Sequence, residues 1–551
     1  MKQTKWFQDA IIYQIYPRSF CDSNGDGIGD IPGIISKIPY LKSLGINTIW
    51  LSPVYPSPMD DNGYDIANYT DIHPMFGNLK DFQEMVEKLH QNGIRLIMDL
   101  VMNHTSDEHP WFIASKDPNS PYRDYYFWRK GKGKNPPNNW TGFFGKPCWE
   151  YDSQSDAYYL HLFGTKQPDV NWDNPKVREE FKNIIRFWCD LGVDGFRLDV
   201  INVISKQEGL PNGKEKLILK GSKYFINGPH LHEYLQEIYR DAFSHYDLLT
   251  VGETVFTNLD DAKLLTKEER NELSMIFNFD HTSVDNYMGV KWLMRPFSLR
   301  RYKKILGKYQ KGLQEEGWNS LFYENHDQRR SVGRFHTNDG DLRKESAKML
   351  AVSMYFLKGT PFIYQGQEIG MTNSDIQKIE DYVDIETKDV NETAKKLLIP
   401  KWYRQKMIRN GSRDNARTPM QWNQSPNAGF TTGTPWLKVN DNYRSISVEE
   451  SLQDENSIFH FYQKLLQLRS QEDLVKHGQY IDLFPRSKWL YGYLRKGEKE
   501  SLLILCSYSK KAHRLPRKIK YDGEVLLNSY LSFDQKNLFP YQAVVLKIKS
   551  K

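Results

Sequence analysis

An arginine and an aspartate stand two residues apart in the segment Gly195-Phe196-Arg197-Leu198-Asp199. On a β-strand, residues i and i+2 project to the same face, so we expect Arg197 and Asp199 to lie side by side. The cation favours the ionised form of the neighbouring carboxyl. An ionised, positioned carboxylate can act as a nucleophile on a sugar carbon, although a structural ion pair would use the same two residues.

Three further apolar runs end in, or contain, acids, amides and histidines. Glu253 follows one of them, Asn325-His326-Asp327 follows another, and the third leads from Asp99 into Asn103-His104. In a (β/α)₈ barrel the reacting groups lie at the C-terminal ends of the strands. Four such runs in one chain favour a shared site over four unrelated structural origins.

Together these four motifs resemble those of the α-amylase superfamily of glycoside hydrolases. The resemblance is strongest to the branch of oligo-1,6-glucosidases, dextran glucosidases and trehalose-6-phosphate hydrolases. It extends from about Trp6 to about Arg469 and continues more weakly to the end of the chain. Three further segments resemble the same branch: 12–20, 61–65 and 413–422.

Eight apolar runs alternate with helix-like patterns such as those at 79–92 and 175–191, which predicts an α/β fold with a closed (β/α)₈ TIM barrel. The chain should divide into a barrel (1–104 and 174–475), an inserted loop-rich subdomain after the third strand that walls the site (105–173), and a C-terminal antiparallel, sandwich-like β-domain (476–551). The expected barrel strands are 10–16, 48–53, 95–102, 195–200, 248–252, 275–279, 319–323 and 361–364.

Glycoside hydrolysis needs two carboxyls at the scissile bond. We expect Asp199 to be the nucleophile, kept ionised by Arg197, and Glu253 to be the general acid/base. Glu253 must start protonated, so its pKa should be raised, and Asp327 is expected to supply the neighbouring negative charge. The resemblance implies that Asp327 also holds the sugar hydroxyls and that the α-configuration is retained.

The resemblance also implies the groups that bind the terminal glucose. His104 and His326 would donate hydrogen bonds to its hydroxyls, and Tyr64 would be the aromatic platform beneath it. Asp61 and Arg417 would pair and close the end of the pocket, which favours an exo-acting glucosidase over an endo-amylase. Lys291 would contact the second sugar on the leaving side.

Val200 follows the nucleophile, as in relatives with α-1,6 preference, and the segment 167–171 resembles the oligo-1,6-glucosidase version of a loop motif. We therefore expect an exo-α-glucosidase acting on isomaltose, panose and short isomalto-oligosaccharides. Trehalose-6-phosphate and sucrose remain alternative substrates, because Val255, Glu324 and Arg329 depart from close relatives. Arg329 could pair with a phosphate or merely with Glu324.

The segment 22–30 carries side-chain oxygens at alternate positions, with glycines between them. Hard oxygens in this pattern suit Ca²⁺. The resemblance implies a calcium loop with ligands Asp22, Asn24, Asp26, the Ile28 carbonyl and Asp30, whereas an Asx-rich turn without metal is the alternative. Its role would be stability, and no organic cofactor is expected.

Composition agrees with a sugar-processing enzyme. Of 551 residues, 39% are hydrophobic and 14% aromatic, and the net charge is only +6. We expect no nucleic-acid or membrane partner, a monomer, and a cytoplasmic location, since the four cysteines lie far apart without a metal-binding spacing. A non-catalytic sugar-binding or transporter-associated protein is the remote alternative, disfavoured because Asp199, Glu253 and Asp327 are all present.

Overall fold

The computed structural model describes residues 5–133, 135–214, 219–287, 289–337, 340–517 and 522–550. Its central sheet is parallel and follows chain order, with β8 paired to β1, and a bridge between Ile276 and Asn319 closes it into a barrel. The predicted (β/α)₈ barrel is therefore confirmed. The strands are β1 (Ile12–Ile15), β2 (Thr48–Leu51), β3 (Arg95–Val101), β4 (Gly195–Asp199), β5 (Leu249–Glu253), β6 (Met275–Phe277), β7 (Ser320–Leu321) and β8 (Thr360–Tyr364).

Helices cover the outside of the barrel, and their sequences explain where they begin. The helix Leu79–Gln91 starts at Asn78, which forms a capping box with Asp81. Such a cap is worth about 1 kcal/mol. The buried Phe82, Met85, Val86 and Leu89 recur at helical spacing, and each contributes about 1.5–3 kcal/mol by burial. The other helices of at least eight residues between β1 and β8 are Pro175–Asp190, Leu231–Asp241, Leu259–Thr266, Leu299–Gly312 and Arg343–Tyr355.

Large apolar side chains fill the interior of the barrel, which is a packed core and not a channel. The charged groups Asp99, Arg197, Asp199 and Glu253 lie toward the carboxyl ends of the strands, where the barrel opens. This division explains why acids and histidines appear at strand ends in the sequence. The interior cluster includes Ile12, Trp50, Ile97, Leu249, Val251, Met275, Phe277, Phe322 and Phe362.

Two long excursions rise above that open end. Between β3 and β4 the chain forms the short helix Pro110–Ser115 and a three-stranded antiparallel sheet (Trp128–Arg129, Ala157–Leu160 and Trp149–Asp152). After β8 come the helices Ile385–Lys396, Lys401–Gly411 and Asp414–Arg417. Both excursions bring side chains back to the strand ends.

The C-terminal region is antiparallel, as predicted. Helices Val448–Gln453, Ile458–Gln471 and Asp473–His477 lead into a five-stranded sheet with a separate two-stranded ribbon, His513–Arg514 with Asn537–Leu538. The spatial order of the five strands is Gln479–Asp482, Leu490–Lys496, Glu500–Ser507, Ala543–Lys549 and Glu524–Asn528.

A bilayer-spanning helix must be both long and apolar. None of the helices within the described ranges satisfies both conditions.

Candidate active site

The carboxyl ends of β3, β4 and β5 place three carboxyl groups around one guanidinium. Arg197 stands opposite Asp99 in the register of β3 and β4 and is 1% exposed. Its Nη1 lies 2.6 Å from both Asp99 Oδ1 and Asp199 Oδ1, and its Nη2 lies 2.6 Å from Glu253 Oε2. Arg197 and Asp199 therefore lie side by side as expected, and Asp99 joins them as a further buried acid.

The two candidate catalytic carboxyls differ in protonation. Burial raises the pKa of Glu253 to about 8, opposed by Arg197 and reinforced by the charges of Asp199 and Asp327. Burial also raises the pKa of Asp199 to about 6, although Arg197 opposes the rise. Near neutral pH, Asp199 is therefore ionised while Glu253 is protonated and hydrogen-bonded to it. Carboxyls with separated pKa values suit a nucleophile beside a general acid.

This arrangement refines two expectations. Arg197 limits the rise in the pKa of Asp199 but does not reverse it, because the carboxyl is buried and Asp99 adds a like charge. The expected effect of Asp327 on the pKa of Glu253 is present, but the nearer carboxylate, Asp199, has the larger effect.

The end of the pocket is closed by two ion pairs. Asp327 Oδ1 lies 2.7 Å from Arg417 Nη2, whereas Asp61 Oδ1 lies 2.8 Å from Arg413 Nη2. The predicted pair of Asp61 with Arg417 is therefore wrong. Arg413 and Arg417 lie four residues apart at the short helix Asp414–Arg417, so their side chains share one face and the nearer guanidinium takes each acid.

Asp327 remains a charged group at this wall. Burial raises its pKa, but the guanidinium groups of Arg413 and Arg417 outweigh that effect and hold the pKa of Asp327 well below its usual range. Its side chain is 31% exposed, more than those of Asp199 (9%) and Glu253 (10%). Asp327 therefore presents acceptor oxygens to the inside of the pocket, and its expected role in holding sugar hydroxyls stays a prediction.

His326 and Tyr64 lie side by side in nearly parallel planes and are joined by a hydrogen bond. Their rings are parallel within 6° with centroids 5.2 Å apart, and Tyr64 Oη lies 2.6 Å from His326 Nε2. Tyr64 Oη is also 3.0 Å from Asp99 Oδ2. The structure thus links the expected platform Tyr64 directly to the acids around Arg197.

His104 follows β3 and contacts the first excursion. Its Nε2 lies 3.1 Å from Nε2 of Gln167, which also donates a 3.3 Å hydrogen bond to Asp61 Oδ2. Asp169 and Lys206 form a fully buried ion pair of 2.8 Å that fixes this loop. Gln167 was part of the loop motif noted in the sequence, but its contact with two expected binding residues is visible only in three dimensions.

Val200 has an unusual backbone. It adopts φ 37° and ψ 39°, a left-handed conformation that is strained for a β-branched residue. This conformation aims its N–H at Glu253 Oε2, 3.3 Å away. The side chain is 6% exposed and belongs to an apolar cluster that Phe163 and Val255 border. Val200 therefore adjoins both Asp199 and Glu253. Its methyl groups pack against apolar side chains of the first excursion.

Lys291 forms an ion pair with Glu386 of the second excursion, and Glu386 Oε2 is also 3.7 Å from Arg413 Nε. The Lys291 side chain is 29% exposed. The structure therefore connects Lys291 to the pocket wall through Glu386, a residue that no sequence pattern indicated.

Arg329 and Glu324, two residues that differ from those of close relatives, both form ion pairs. Arg329 pairs with Asp285, which also binds Arg334 at 3.0 Å. Glu324 is 3% exposed, accepts a hydrogen bond from the Ser331 amide and lies 3.6 Å from Arg330. The alternative pairing of Arg329 with Glu324 is therefore wrong, and Arg329 shares the single carboxylate of Asp285 with Arg334.

The segment 22–30 folds as a tight loop with oxygen donors. Asp22 Oδ1 accepts bonds from the Asn24 and Gly25 amides, Asp26 Oδ1 accepts one from Ile28, and Asp30 caps the helix Ile31–Ser36 through Gly33 at 2.6 Å. Among the described residues, in this loop and elsewhere, no group of three or more His, Cys, Asp or Glu side chains is arranged so that it could hold a metal ion. The donor chemistry, three carboxylates with an amide and a carbonyl oxygen, nevertheless suits Ca²⁺.

Comparisons with known proteins agree with this geometry. The family described as "Alpha amylase, catalytic domain" matches residues 14–478. The chain is 51% identical to an oligo-1,6-glucosidase of Parageobacillus thermoglucosidasius, covering 99% of both chains, and 43% identical to a trehalose-6-phosphate hydrolase of Bacillus subtilis, again covering 99% of both. Among solved structures, a mutant trehalose-6-phosphate hydrolase of Bacillus licheniformis superimposes with a TM-score of 0.95 at 43% identity, covering 100% of both chains. An isomaltulose synthase of a Klebsiella species gives a TM-score of 0.95 at 41% identity, covering 99% of this chain and 100% of that one.

Proposed function

The chain belongs to the α-amylase family of glycoside hydrolases, and we propose that it is an exo-acting oligo-1,6-glucosidase that removes single glucose units from the non-reducing end of short α-1,6-glucosides. The predicted family and branch are confirmed by the match over residues 14–478 and by relatives that align along almost the whole chain. Curated relatives named oligo-1,6-glucosidases are 45–51% identical to it.

The observation that carries the exo-acting assignment is the double ion pair at the end of the pocket. Asp61 with Arg413 and Asp327 with Arg417 block the direction in which a longer chain would extend beyond the terminal glucose. Asp61 and Asp327 follow two different barrel strands, whereas both arginines come from the short helix Asp414–Arg417 and its N-cap. A pocket closed in this way admits one terminal sugar and leaves the opposite side open for the leaving group.

In the proposed mechanism, the Asp199 carboxylate attacks the anomeric carbon while Glu253 gives its proton to the glycosidic oxygen. Glu253, now ionised, then takes a proton from the water that hydrolyses the glucosyl ester on Asp199. The hydrogen bond between the two carboxyls supports retention, because an inverting pair stands about 6.5–9.5 Å apart to hold a water between them.

The linkage choice is tested with a substrate panel. We expect glucose release from isomaltose and panose at a higher kcat/KM than from maltose, sucrose, trehalose or trehalose-6-phosphate. A preference for trehalose-6-phosphate would replace the α-1,6 assignment with the alternative suggested by the relatives of that name. The ion pair with Asp285, and a side chain that is only 12% exposed, argue against the use of Arg329 as a phosphate ligand.

We propose that the loop at 22–30 binds one structural Ca²⁺ through Asp22, Asn24, Asp26, the Ile28 carbonyl and Asp30. The loop is packed against the second excursion, since a Cβ on Gly27 would lie 1.9 Å from the Thr434 carbonyl oxygen. A cation there would hold the loop and this segment together. Chelation should therefore lower the melting temperature, and metal analysis of calcium-equilibrated protein should find one ion per chain; finding none would refute the site.

We further propose a monomer in a reducing, cytoplasmic compartment. The four cysteines are all free and buried in the structure, which suits thiols that never need to pair. Light scattering during size-exclusion chromatography should give the mass of one chain, about 65 kDa. Fractionation of the source cells should recover the activity with cytoplasmic markers.

A further inference from the structure

Gln14 lies on β1 beneath the active site, and its side chain bonds to Ser52 and His326 instead of to Asp199 or Glu253. Its amide is 1% exposed, with Nε2 2.8 Å from His326 Nδ1 and 3.1 Å from Ser52 Oγ. We propose that Gln14 is a positioning residue that fixes the neutral tautomer of His326 with the proton on Nε2. The proposal rests on the proposed function, because it assigns His326 the task of holding the hydroxyl of Tyr64, the expected platform beneath the terminal glucose.

The direction of the hydrogen bonds follows from the acid at the far end of the chain. Asp99 is held in its acceptor role by Arg197, which donates to Oδ1, and by Trp50 Nε1, which donates to Oδ2 at 3.0 Å. Tyr64 Oη, 3.0 Å from the same Oδ2, must therefore donate its only hydrogen to Asp99.

The hydroxyl oxygen of Tyr64 is then left as an acceptor toward His326 Nε2, 2.6 Å away. His326 Nε2 must carry a hydrogen, and in a neutral imidazole Nδ1 then has none. Nδ1 needs a donor, which the Gln14 amide nitrogen supplies while its second hydrogen goes to Ser52. Every hydrogen bond from Gln14 to Asp99 then runs in one direction.

The surroundings keep His326 neutral, so the choice of tautomer matters. The ring is fully buried among Asp327, Arg197, Arg417 and Arg413, and burial lowers the pKa of His326 to about 3. Asp327 Oδ2 lies 3.4 Å from Nε2. With the opposite tautomer, Nε2 would turn a lone pair toward that carboxylate and toward Tyr64 Oη. It would then compete with Asp99 for the hydrogen of the Tyr64 hydroxyl.

Two variants of Gln14 distinguish tautomer control from simple packing. Gln14→Met keeps the length of the side chain but removes the donor. We expect kcat/KM for 4-nitrophenyl α-glucoside to fall about tenfold at every pH, since the hydrogen bond from His326 that positions Tyr64 is no longer enforced. Gln14→Glu keeps the shape but, when ionised, accepts from Nδ1–H and leaves Nε2 bare. We expect this variant to lose more than Gln14→Met at neutral pH.

The two losses should also differ in their pH dependence. In the Gln14→Glu variant, adding one proton to the coupled pair of the introduced carboxylate and His326 restores the Nε2–H, whichever of the two groups holds the proton. The ratio of the Gln14→Glu variant to wild type should therefore rise at least fivefold as the pH falls from about 8 to about 5, whereas the Gln14→Met ratio stays flat. The exposed Gln91→Glu is the matched control and should track wild type.

A flat Gln14→Glu ratio in an active, folded protein would overturn the proposal without affecting the proposed function, whereas failure of wild type to release glucose would instead refute the function. If neither variant folds, the wild-type enzyme labelled with ¹⁵N-histidine decides, with the His326 signals assigned by their loss in His326→Asn. Nitrogen shifts of the Nε2–H tautomer are expected, and those of the Nδ1–H tautomer would refute it.

Discussion

The separated pKa values of Asp199 and Glu253 predict the pH dependence of kcat/KM. The reactive form needs Asp199 ionised and Glu253 protonated. Asp199, with a raised pKa of about 6, loses its charge as the pH falls through that value, and Glu253, with a raised pKa of about 8, loses its proton as the pH rises through that value. Activity should therefore follow a bell centred near pH 7, because kcat/KM reports the free enzyme.

The size of each limb follows from the same two values. One pH unit below a pKa of about 6, or above a pKa of about 8, roughly a tenth of the enzyme is in the reactive form, so kcat/KM should be about tenfold lower near pH 5 and near pH 9 than near pH 7. These are values of the coupled pair as a whole. The assay is release of 4-nitrophenol under kcat/KM conditions, stopped with base and read at one fixed pH.

Three variants test which group sets the alkaline limb. Asp327→Asn removes a charge that raises the pKa of Glu253, so its alkaline limb should move to lower pH while the acid limb stays in place. Asp534→Asn removes an exposed acid of the C-terminal region and should leave both limbs unchanged. An alkaline limb that stays at the same pH in Glu253→Gln would refute the assignment of Glu253 as the acid.

Four further outcomes are expected. Asp199→Asn should lose at least three orders of magnitude in kcat with its circular dichroism unchanged, and more than about a tenth of the activity remaining would place the nucleophile elsewhere. Glu253→Gln should raise the free energy of unfolding, measured in urea near pH 7, by on the order of 3 kcal/mol, because folding holds Glu253 protonated at a pH where the unfolded chain ionises it. The gain should vanish as the pH falls toward about 4.5. A free energy of unfolding equal to that of wild type at both pH values would contradict this prediction. Arg413→Met leaves the buried Asp61 without its ion-pair partner and should lower the free energy of unfolding by about 3–5 kcal/mol. An unchanged melting temperature would rule out the ion pairs described at the pocket end. Val200→Ala should raise the maltose-to-isomaltose ratio of kcat/KM about tenfold, and an unchanged ratio would mean that Val200 does not set linkage preference.

The parts of the site that lie on strands could be predicted from sequence. Arg197 and Asp199 share a face because of strand alternation, and Glu253 and Asp327 stand where their apolar runs stop, so local patterns were enough to locate them. The barrel followed from the same runs. Register adds what the sequence could not give, namely that Asp99 stands opposite Arg197.

The parts supplied by the excursions could not be predicted, because their contacts join residues that are hundreds of positions apart. Arg413 and Arg417 are equivalent by local pattern, and only the packing of the second excursion decides which of them reaches Asp61 across 352 residues. The partner of Arg329 was misjudged because Asp285 is 44 residues away along the chain. An adjacent acid, Glu324, was the nearer candidate along the chain, but Asp285 is the nearer one in space.

One guanidinium among three acids also sets the charge balance of the pocket. Near neutral pH, with Glu253 protonated, Asp99 and Asp199 carry two negative charges against the single positive charge of Arg197. This cluster therefore carries one excess negative charge beside the place where the anomeric carbon becomes cationic as the glycosidic bond breaks. The positive charge that develops on the sugar is neutralised by that excess. An ammonium group can neutralise the same excess without reacting. Protonated amino-sugars and amine buffers should therefore compete with substrate, and their inhibition should weaken below about pH 6, where Asp199 gains a proton.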